Sequence, residues 1–304
     1  REELPGQLQF AVGCDRVLCS RGQRARVSGA RALLLLTDGI PHTVIVVETK
    51  QELEEQLAEW RQQGDHVALV PTMGNLHAGH VSLVELAREH AEYPRTLEKD
   101  TRRLKTVSAD LIFAPSVETM YPFGLKDATT VSVPRITEKF CGKSRPGHFD
   151  GVTTVVARLF GLIRPDVAIF GQKDFQQQLV IRHMCLDLSL PIKIVTAETV
   201  RDTDGLALSS RNLYLTPEER ATAPMLHKIL DVVGDELQSG KRNYDELETA
   251  SIARLSDAGF DVDYFSIRRA ENLEMPDRDS DDLVILVAAR LGNARLIDNT
   301  VVTI

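Results

Sequence analysis

The stretch Val70–Val84, VPTMGNLHAGHVSLV, decides how the rest of the chain is read. It leaves an apolar run, HVALV at His66–Val70, and crosses a turn containing the small residues Gly74, Ala78 and Gly79. It then enters an amphipathic pattern, GHVSLVELAREHA, with Val81, Val84, Leu86 and Ala87 as inward positions. A strand that turns into a helix in this way is the first half of a parallel βαβ unit. The amino end of such a helix presents unpaired N–H groups and a partial positive charge, which suits phosphate. Small residues let a phosphate-bearing molecule approach the backbone closely. His77 and His80 stand at this turn. Imidazole can donate to a phosphoryl oxygen where charge develops, so the pair reads first as phosphate-facing. Packed histidines and a zinc pair stay open as alternatives, although H-x-x-H has no third ligand of the usual kind nearby.

Working outward, the same alternation continues. HTVIVVET is a strand, and TKQELEEQLAEWRQQG is a helix with Thr49 as N-cap, Glu52 completing a capping box and Gly64 closing it. ADLIFAPS, DVAIFGQ and IKIVTAETV are further apolar strands, with helices over FDGVTTVVARLFGLIRP and DFQQQLVIRHMCLDLSL. Alternating helices and apolar strands predict an α/β domain with a parallel sheet. Such sheets bind ligands beyond the carboxyl ends of their strands, which directs attention to the loops after Val70, Phe170 and Val200. Past about residue 198 the texture changes. A helix over TPEERATAPMLHKILDVVGDEL starts at the Thr216 cap with Pro217 at N1 and Glu219 in a capping box, and YDELETASIARLSDAG is a second helix. The strands VDYFSIRRA, DLVILVAAR and ARLIDN follow, so this part reads as a smaller α+β domain.

The two later loops carry phosphate chemistry of their own. In FGQKDFQQ, Phe170–Gln177, Lys173 and Asp174 follow Gly171 where a helix begins. The lysine can neutralise phosphate oxygens, and the aspartate can bind Mg²⁺ or orient a hydroxyl. Gln176 and Gln177 are expected to point toward the same crevice, although a surface Lys-Asp pair on a polar helix start explains the local sequence equally well. In RDTDGLALSSRNLYL, Arg201–Leu215, the residues Ser209, Ser210, Arg211 and Asn212 supply hydroxyls, a guanidinium and an amide suited to a triphosphate. A simple turn before the next helix is the competing reading. In SRPGHFDGVTTVV, Ser144–Val156, Arg145 and His148 flank a Pro-Gly turn and read as part of a site wall.

Composition limits the classes open to the chain. Its 304 residues can bury a large core, and its apolar fraction of 43% and charged fraction of 26% are those of a globular protein. A net charge of −8 argues against a nucleic-acid coat. Cys14, Cys19, Cys141 and Cys185 show no C-x-x-C spacing and are read as reduced thiols. No apolar run approaches the roughly 20 residues needed to span a bilayer. ARALLLLTDG has too short an apolar core for a signal peptide, so the protein is read as cytoplasmic. Residues 1–42 are rich in Arg, Gly and Ser and are expected to be an extension, poorly ordered or packed as an accessory.

Taken together, PTMGNLHAGH, RPGHFDGVTTVV, GQKDFQQ and DGLALSSRNLYL resemble, in order, the motifs of the pantoate–β-alanine ligases, a family of the HxGH nucleotidylyltransferase kind. YPRTLEKD, IFAPSVETMYP and LVAARLGNARLIDN extend the resemblance over residues 43–304. It implies a Rossmann-like ATP- and pantoate-binding domain over 43–197 and an α+β lid over 198–304, in a homodimer. It implies ATP-dependent condensation of pantoate with β-alanine through pantoyl adenylate, releasing pyrophosphate and AMP, with Mg²⁺ accompanying ATP. No nucleic-acid or membrane partner is implied.

Carried onto this chain, the resemblance places Met73, Gly74, Asn75, Leu76, His77, Ala78, Gly79 and His80 around ATP, with His80 as proton donor. Gly171, Gln172, Lys173 and Asp174 line the nucleotide, Lys173 holding phosphate, and Gln177 binds pantoate. Val200 touches the adenine region, and Leu208, Ser209, Ser210 and Arg211 clamp the phosphates. His80, His77, Lys173 and Arg211 form the catalytic set.

There are two departures, and the first is the 1–42 extension, which has no counterpart in the family. In the family a strand ending in F-V-N-P-x-Q-F precedes YPRTL, whereas here LAREHA at Leu86–Ala91 runs directly into EYPRTLEKD. The glutamine of that motif, which contacts pantoate and β-alanine, has no counterpart. The alternative function is therefore a catalytically impaired nucleotide-binding paralogue. Another HxGH adenylyl transferase, of the aminoacyl-tRNA synthetase type, is opposed by the acidic balance and the GQKDFQQ match. QLQFAV near the amino end has a short, weak strand pattern and is not expected to replace the lost strand.

Overall fold

A computed structural model of the chain describes residues 9–14, 45–72 and 110–304. Its first sheet contains β1 (Gln9–Cys14), β2 (Ile45–Val47), β3 (Val67–Thr72), β4 (Leu111–Phe113), β5 (Val167–Gly171) and β6 (Lys193–Ala197). Their order is β2-β4-β1-β3-β5-β6. The pairs β2–β4, β3–β5 and β5–β6 are parallel, as expected of βαβ units.

β1 departs from the expectation. It lies inside the sheet, antiparallel to both neighbours, with Gln9–Cys14 facing Thr72–Val67 and Phe10–Val12 facing Phe113–Leu111. The leading segment is thus not an accessory over Gln9–Cys14, and QLQFAV does contribute to a strand. The reason is tertiary. β3 and β4 do not pair with each other, so their facing edges need backbone partners, and a short stretch able to extend supplies them. Strand propensity is weak information beside such a slot.

The helices form where their ends dictate. In α1 (Lys50–Gln63) the Glu52 N–H donates to the Thr49 hydroxyl, and the Thr49 N–H donates to the Glu52 carboxylate. Gly64 closes α1 at φ 80°. Leu53, Leu57 and Trp60 bury one face of α1 among Leu69, Leu111, Phe113, Leu159 and Ile163. After a short α2 (Val117–Met120) and α3 (Phe140–Ser144) come α4 (His148–Ile163) and α5 (Phe175–Asp187), both packed on this core.

A second core is built from α6 (Pro217–Thr222), α7 (Met225–Gln238), α8 (Tyr244–Asp257) and the antiparallel sheet β7 (Asp261–Arg269), β8 (Asp282–Leu291) and β9 (Ala294–Thr303). The Thr216–Glu219 capping box is present. The single helix expected there is interrupted at Ala223–Pro224, because Pro224 has no N–H to continue the ladder. A third apolar cluster joins the two parts: Ile136, Phe149, Phe175 and Val180 meet Leu273, Val284 and Leu286. No helix among the described residues is long and apolar enough to cross a membrane.

Candidate functional site

The site is a cleft at the junction of the two cores, and the loop after β5 forms its floor. β5 ends at Gly171, Gln172–Asp174 make one 3₁₀ turn, and α5 starts at Phe175. The Lys173 side chain is 18% exposed, with its Nζ 3.9 Å from Asp174 Oδ2. Gln177 lines the cleft beside them. Gln176 serves the scaffold. Its Nε2 donates to the Ile136 and Lys139 carbonyls at 2.7 and 2.8 Å, and its Oε1 accepts from the Cys141 N–H at 3.1 Å. Its amide ties α5 to Ile136, Lys139 and Cys141, and the residue borders the cleft beside Gln177, as expected.

One wall is the Arg145–His148 turn. Pro146 takes the second position and Gly147, at φ 78° and ψ −9°, the third, and the His148 N–H closes the turn on the Arg145 carbonyl at 3.1 Å. This is a type II turn, which needs glycine at its third position. It aims both side chains into the cleft, with Arg145 NH1 3.0 Å from His148 Nε2. Burial, and then the positive charges of Arg145 and Arg211, push the His148 imidazole down to about 4, with Asp174 opposing. At neutral pH the ring is uncharged and its Nε2 accepts from the guanidinium.

The opposite wall is the Arg201–Asn212 loop. Arg201 and Ala207 form an isolated β-bridge, and the Leu208 N–H donates to the Val200 carbonyl at 2.9 Å. Ser209 caps the 3₁₀ helix Ser210–Tyr214 by accepting from the Arg211 N–H at 3.3 Å. Asn212 Nδ2 donates to the Ala207 carbonyl at 3.0 Å. These bonds shape the loop, so Ser209 and Asn212 have structural work as well as a place at the site. A narrow recess is lined by Lys173, Ser209, Arg211, Asn212 and Asp298. It adjoins a cavity of about 140 Å³ lined by Arg145, His148, Lys173, Asp174, Gln177 and Arg211. The expected residues Gly171, Gln172, Val200, Leu208 and Ser210 are on the same loops but do not line these two recesses. Met73–His80, including His77 and His80, lie outside the described residues.

The third side comes from β7 and β9, which sequence reasoning did not assign. Tyr264, Arg295, Asp298 and Asn299 line the cleft. Arg295 Nε donates to Asp263 Oδ2 at 2.6 Å, and its guanidinium lies 3.7 to 3.8 Å from Cys141 Sγ. The Tyr264 hydroxyl is 3.1 Å from the same sulfur, and burial, reinforced by Cys141, holds it protonated. The available signal was a set of polar residues, Arg295, Asp298 and Asn299, in a strand that is otherwise mostly apolar at its core. Four cations, Arg145, Lys173, Arg211 and Arg295, thus surround one small cleft, and Asp298 is neutralised by Arg201 at 2.6 Å. That arrangement suits a polyanion.

The profile of the pantoate-beta-alanine ligase family matches residues 45–92 and 88–301. The two matched stretches overlap over residues 88–92. The pantothenate synthetase of Pseudomonas putida (strain W619) is 48% identical over 274 residues, covering 83% of this chain and 96% of that protein. That of Methylococcus capsulatus is 45% identical over 280 residues, covering 85% and 98%. Among solved structures, pantothenate synthetase from Thermus thermophilus superposes with a TM-score of 0.75 at 40% identity, over 84% of this chain and 99% of that one. A pantoate-beta-alanine ligase from Francisella tularensis, complexed with beta-gamma ATP and beta-alanine, gives a TM-score of 0.66 at 26% identity, over 85% and 97%.

Proposed function

The chain belongs to the pantoate–β-alanine ligase family and joins pantoate to β-alanine at the expense of ATP, and from that premise we propose how its residues do so. The observation that carries the proposal is the convergence of Lys173, Arg211, Arg145 and the neutral His148 on one cleft beyond β5.

In the first step a pantoate carboxylate oxygen attacks the α-phosphorus of ATP, and the bond to the bridging oxygen breaks to release pyrophosphate. Lys173 and Arg211, lining the narrow recess from two different loops, face the phosphates and hold the charge that gathers on them. By the motif PTMGNLHAGH, His80 is assigned the proton-donating role with His77 beside it, and Met73 to Gly79 are assigned to nucleotide binding. Gln177 orients pantoate. In the second step the β-alanine amine attacks the acyl carbon of pantoyl adenylate and AMP leaves with the bonding electrons. Both steps depend chiefly on placing reactants next to fixed charges.

A Mg²⁺ ion accompanying ATP would neutralise phosphate oxygens. Among the described residues no cluster of three or more acidic, His or Cys side chains could hold a metal alone. Asp174, its side chain 48% exposed at the cleft, is the carboxylate that would hold such an ion together with substrate phosphates. The division into a binding domain over 43–197 and a lid over 198–304 belongs to the same reading. So does a cytoplasmic homodimer without nucleic-acid or membrane partners, to be checked by light scattering. No finding favours an impaired nucleotide binder, and the family match resumes beyond the shortened segment.

Pantoate-dependent exchange between ATP and labelled pyrophosphate tests the scheme. Exchange that ignores pantoate, or none from folded protein that binds ATP, overturns it.

A further inference from the structure

We propose that Asp298 and Asn299, adjacent on β9, are positioning residues that hold the two phosphate-facing loops in register with each other. The inference rests on the reading of Lys173 and Arg211 given above. Successive residues of a strand point to opposite faces, so one strand can reach two loops at once.

Asp298, 4% exposed, accepts from Arg201 NH1 at 2.6 Å and NH2 at 3.0 Å. Arg201 also donates to the Gly205 carbonyl at 3.1 Å and bridges to Ala207, so this fork roots the loop that carries Ser209 and Arg211. Asn299, 2% exposed, spends both hydrogens of its amide on the other loop. Its Nδ2 donates to the Gln172 carbonyl at 2.8 Å and to the Lys173 carbonyl at 3.0 Å. Asp298 Oδ1 also accepts from the Asn299 N–H at 2.8 Å, which couples the two grips.

Asn299 is only half satisfied by these bonds. Its Oδ1 is buried and has no hydrogen-bond partner among the described residues. A half-satisfied buried amide is a poorer choice for the fold than an apolar side chain of similar size. What the amide does is fix the backbone of the 3₁₀ turn from which Lys173 projects. Lys173 and Arg211 lie on segments whose relative placement no local pattern sets, and β9 is the common element both are tied to. Precise spacing of two cations around a phosphate chain needs such support.

The test uses the full chain and reads hydrogen–deuterium exchange and kinetics together. Asn299→Ala is expected to speed amide exchange over residues 172–177. Loss of two hydrogen bonds is expected to lower kcat/KM for ATP by roughly thirty-fold. The change falls on the KM for ATP and leaves that for β-alanine in place, whereas a merely structural loss lowers the active fraction and hence kcat alone. In a Lys173→Met background the effect of Asn299→Ala shrinks, since both act through one side chain. Unchanged exchange over 172–177 in folded Asn299→Ala overturns the proposal whatever Lys173 does. Faster exchange combined with a fully active Lys173→Met supports the clamp and overturns the assignment of Lys173 to phosphate. If Asn299→Ala does not fold, Arg201→Lys tests the other arm. It keeps the charge but loses the fork, and is expected to speed exchange over residues 203–212; no change there overturns the proposal.

Discussion

Arg145 donates to Nε2 of His148 at 3.0 Å, which fixes this imidazole as a neutral acceptor inside a cleft of positive charge. The folded ring titrates at about 4 against an ordinary value of 6.5, through burial and then the nearby cations. Between those values the unfolded chain binds more protons than the folded one. The contribution of His148 to stability is therefore complete above pH 6.5 and is lost as pH falls toward 4. Urea midpoints measured across this range should fall with pH in the unaltered protein and fall less in His148→Asn. Superimposable profiles would contradict a neutral buried ring.

Lys173→Met should remove activity without removing the fold. The Nζ group is 3.9 Å from a half-exposed Asp174, so no buried carboxylate is left unpaired by the change. Pantoate-dependent ATP–pyrophosphate exchange should drop by about 10²- to 10³-fold, the usual cost of deleting a group that meets developing charge. Circular dichroism and thermal midpoint should stay near those of the parent. Retained exchange activity would take Lys173 out of the phosphate site.

Residues 9–14 should be required for a stable first sheet. β1 supplies six register partners to β3 and three to β4, two strands that otherwise have no described neighbour on those edges. A chain starting at residue 43 exposes both edges, and open edges associate with other chains. Lower solubility and a lower melting midpoint are expected on comparing the two lengths. Equal behaviour would show that the sheet closes without β1.

Gly142→Ala should be costly. A Cβ at this position runs into the Thr137 carbonyl, which belongs to the backbone and cannot step aside as a flexible side chain would. Moving the segment costs about 1–3 kcal/mol and shifts Cys141 and the Arg145 turn with it. Gly161→Ala, within α4 and with open space around the new methyl, should instead stabilise by about 0.5–1 kcal/mol. Chemical denaturation of the two variants separates these outcomes by sign.

The local elements were the most legible part of the chain. Thr49 with Glu52, and Thr216 with Glu219, announce helix starts because a cap is a contact between residues three apart. Lys173, Asp174, Gln177 and Arg211 were legible as site candidates because they follow strands or turns whose carboxyl ends must face the cleft. Gln176 borders the cleft as expected, but its scaffold role was not legible, because its side chain is claimed by the Ile136 and Lys139 carbonyls, nearly forty residues away in sequence. Tyr264, Arg295, Asp298 and Asn299 were not assigned because their roles exist only once β7 and β9 lie against the loop after β5.

By itself, then, the amino-acid sequence determined where most helices and strands begin and end, the alternation behind the parallel pairs of the first sheet, and the membership carried by the ordered motifs. Only the tertiary structure decided that Gln9–Cys14 enters that sheet antiparallel, and that Asp298 and Asn299 tie together the loops bearing Arg211 and Lys173. The physical reason is the range of the interactions. Caps, turns and amphipathic periods are satisfied within a few residues and leave a local trace. A vacant pair of strand edges or an unpaired loop carbonyl takes whatever distant segment can reach it and supply the missing hydrogen bonds.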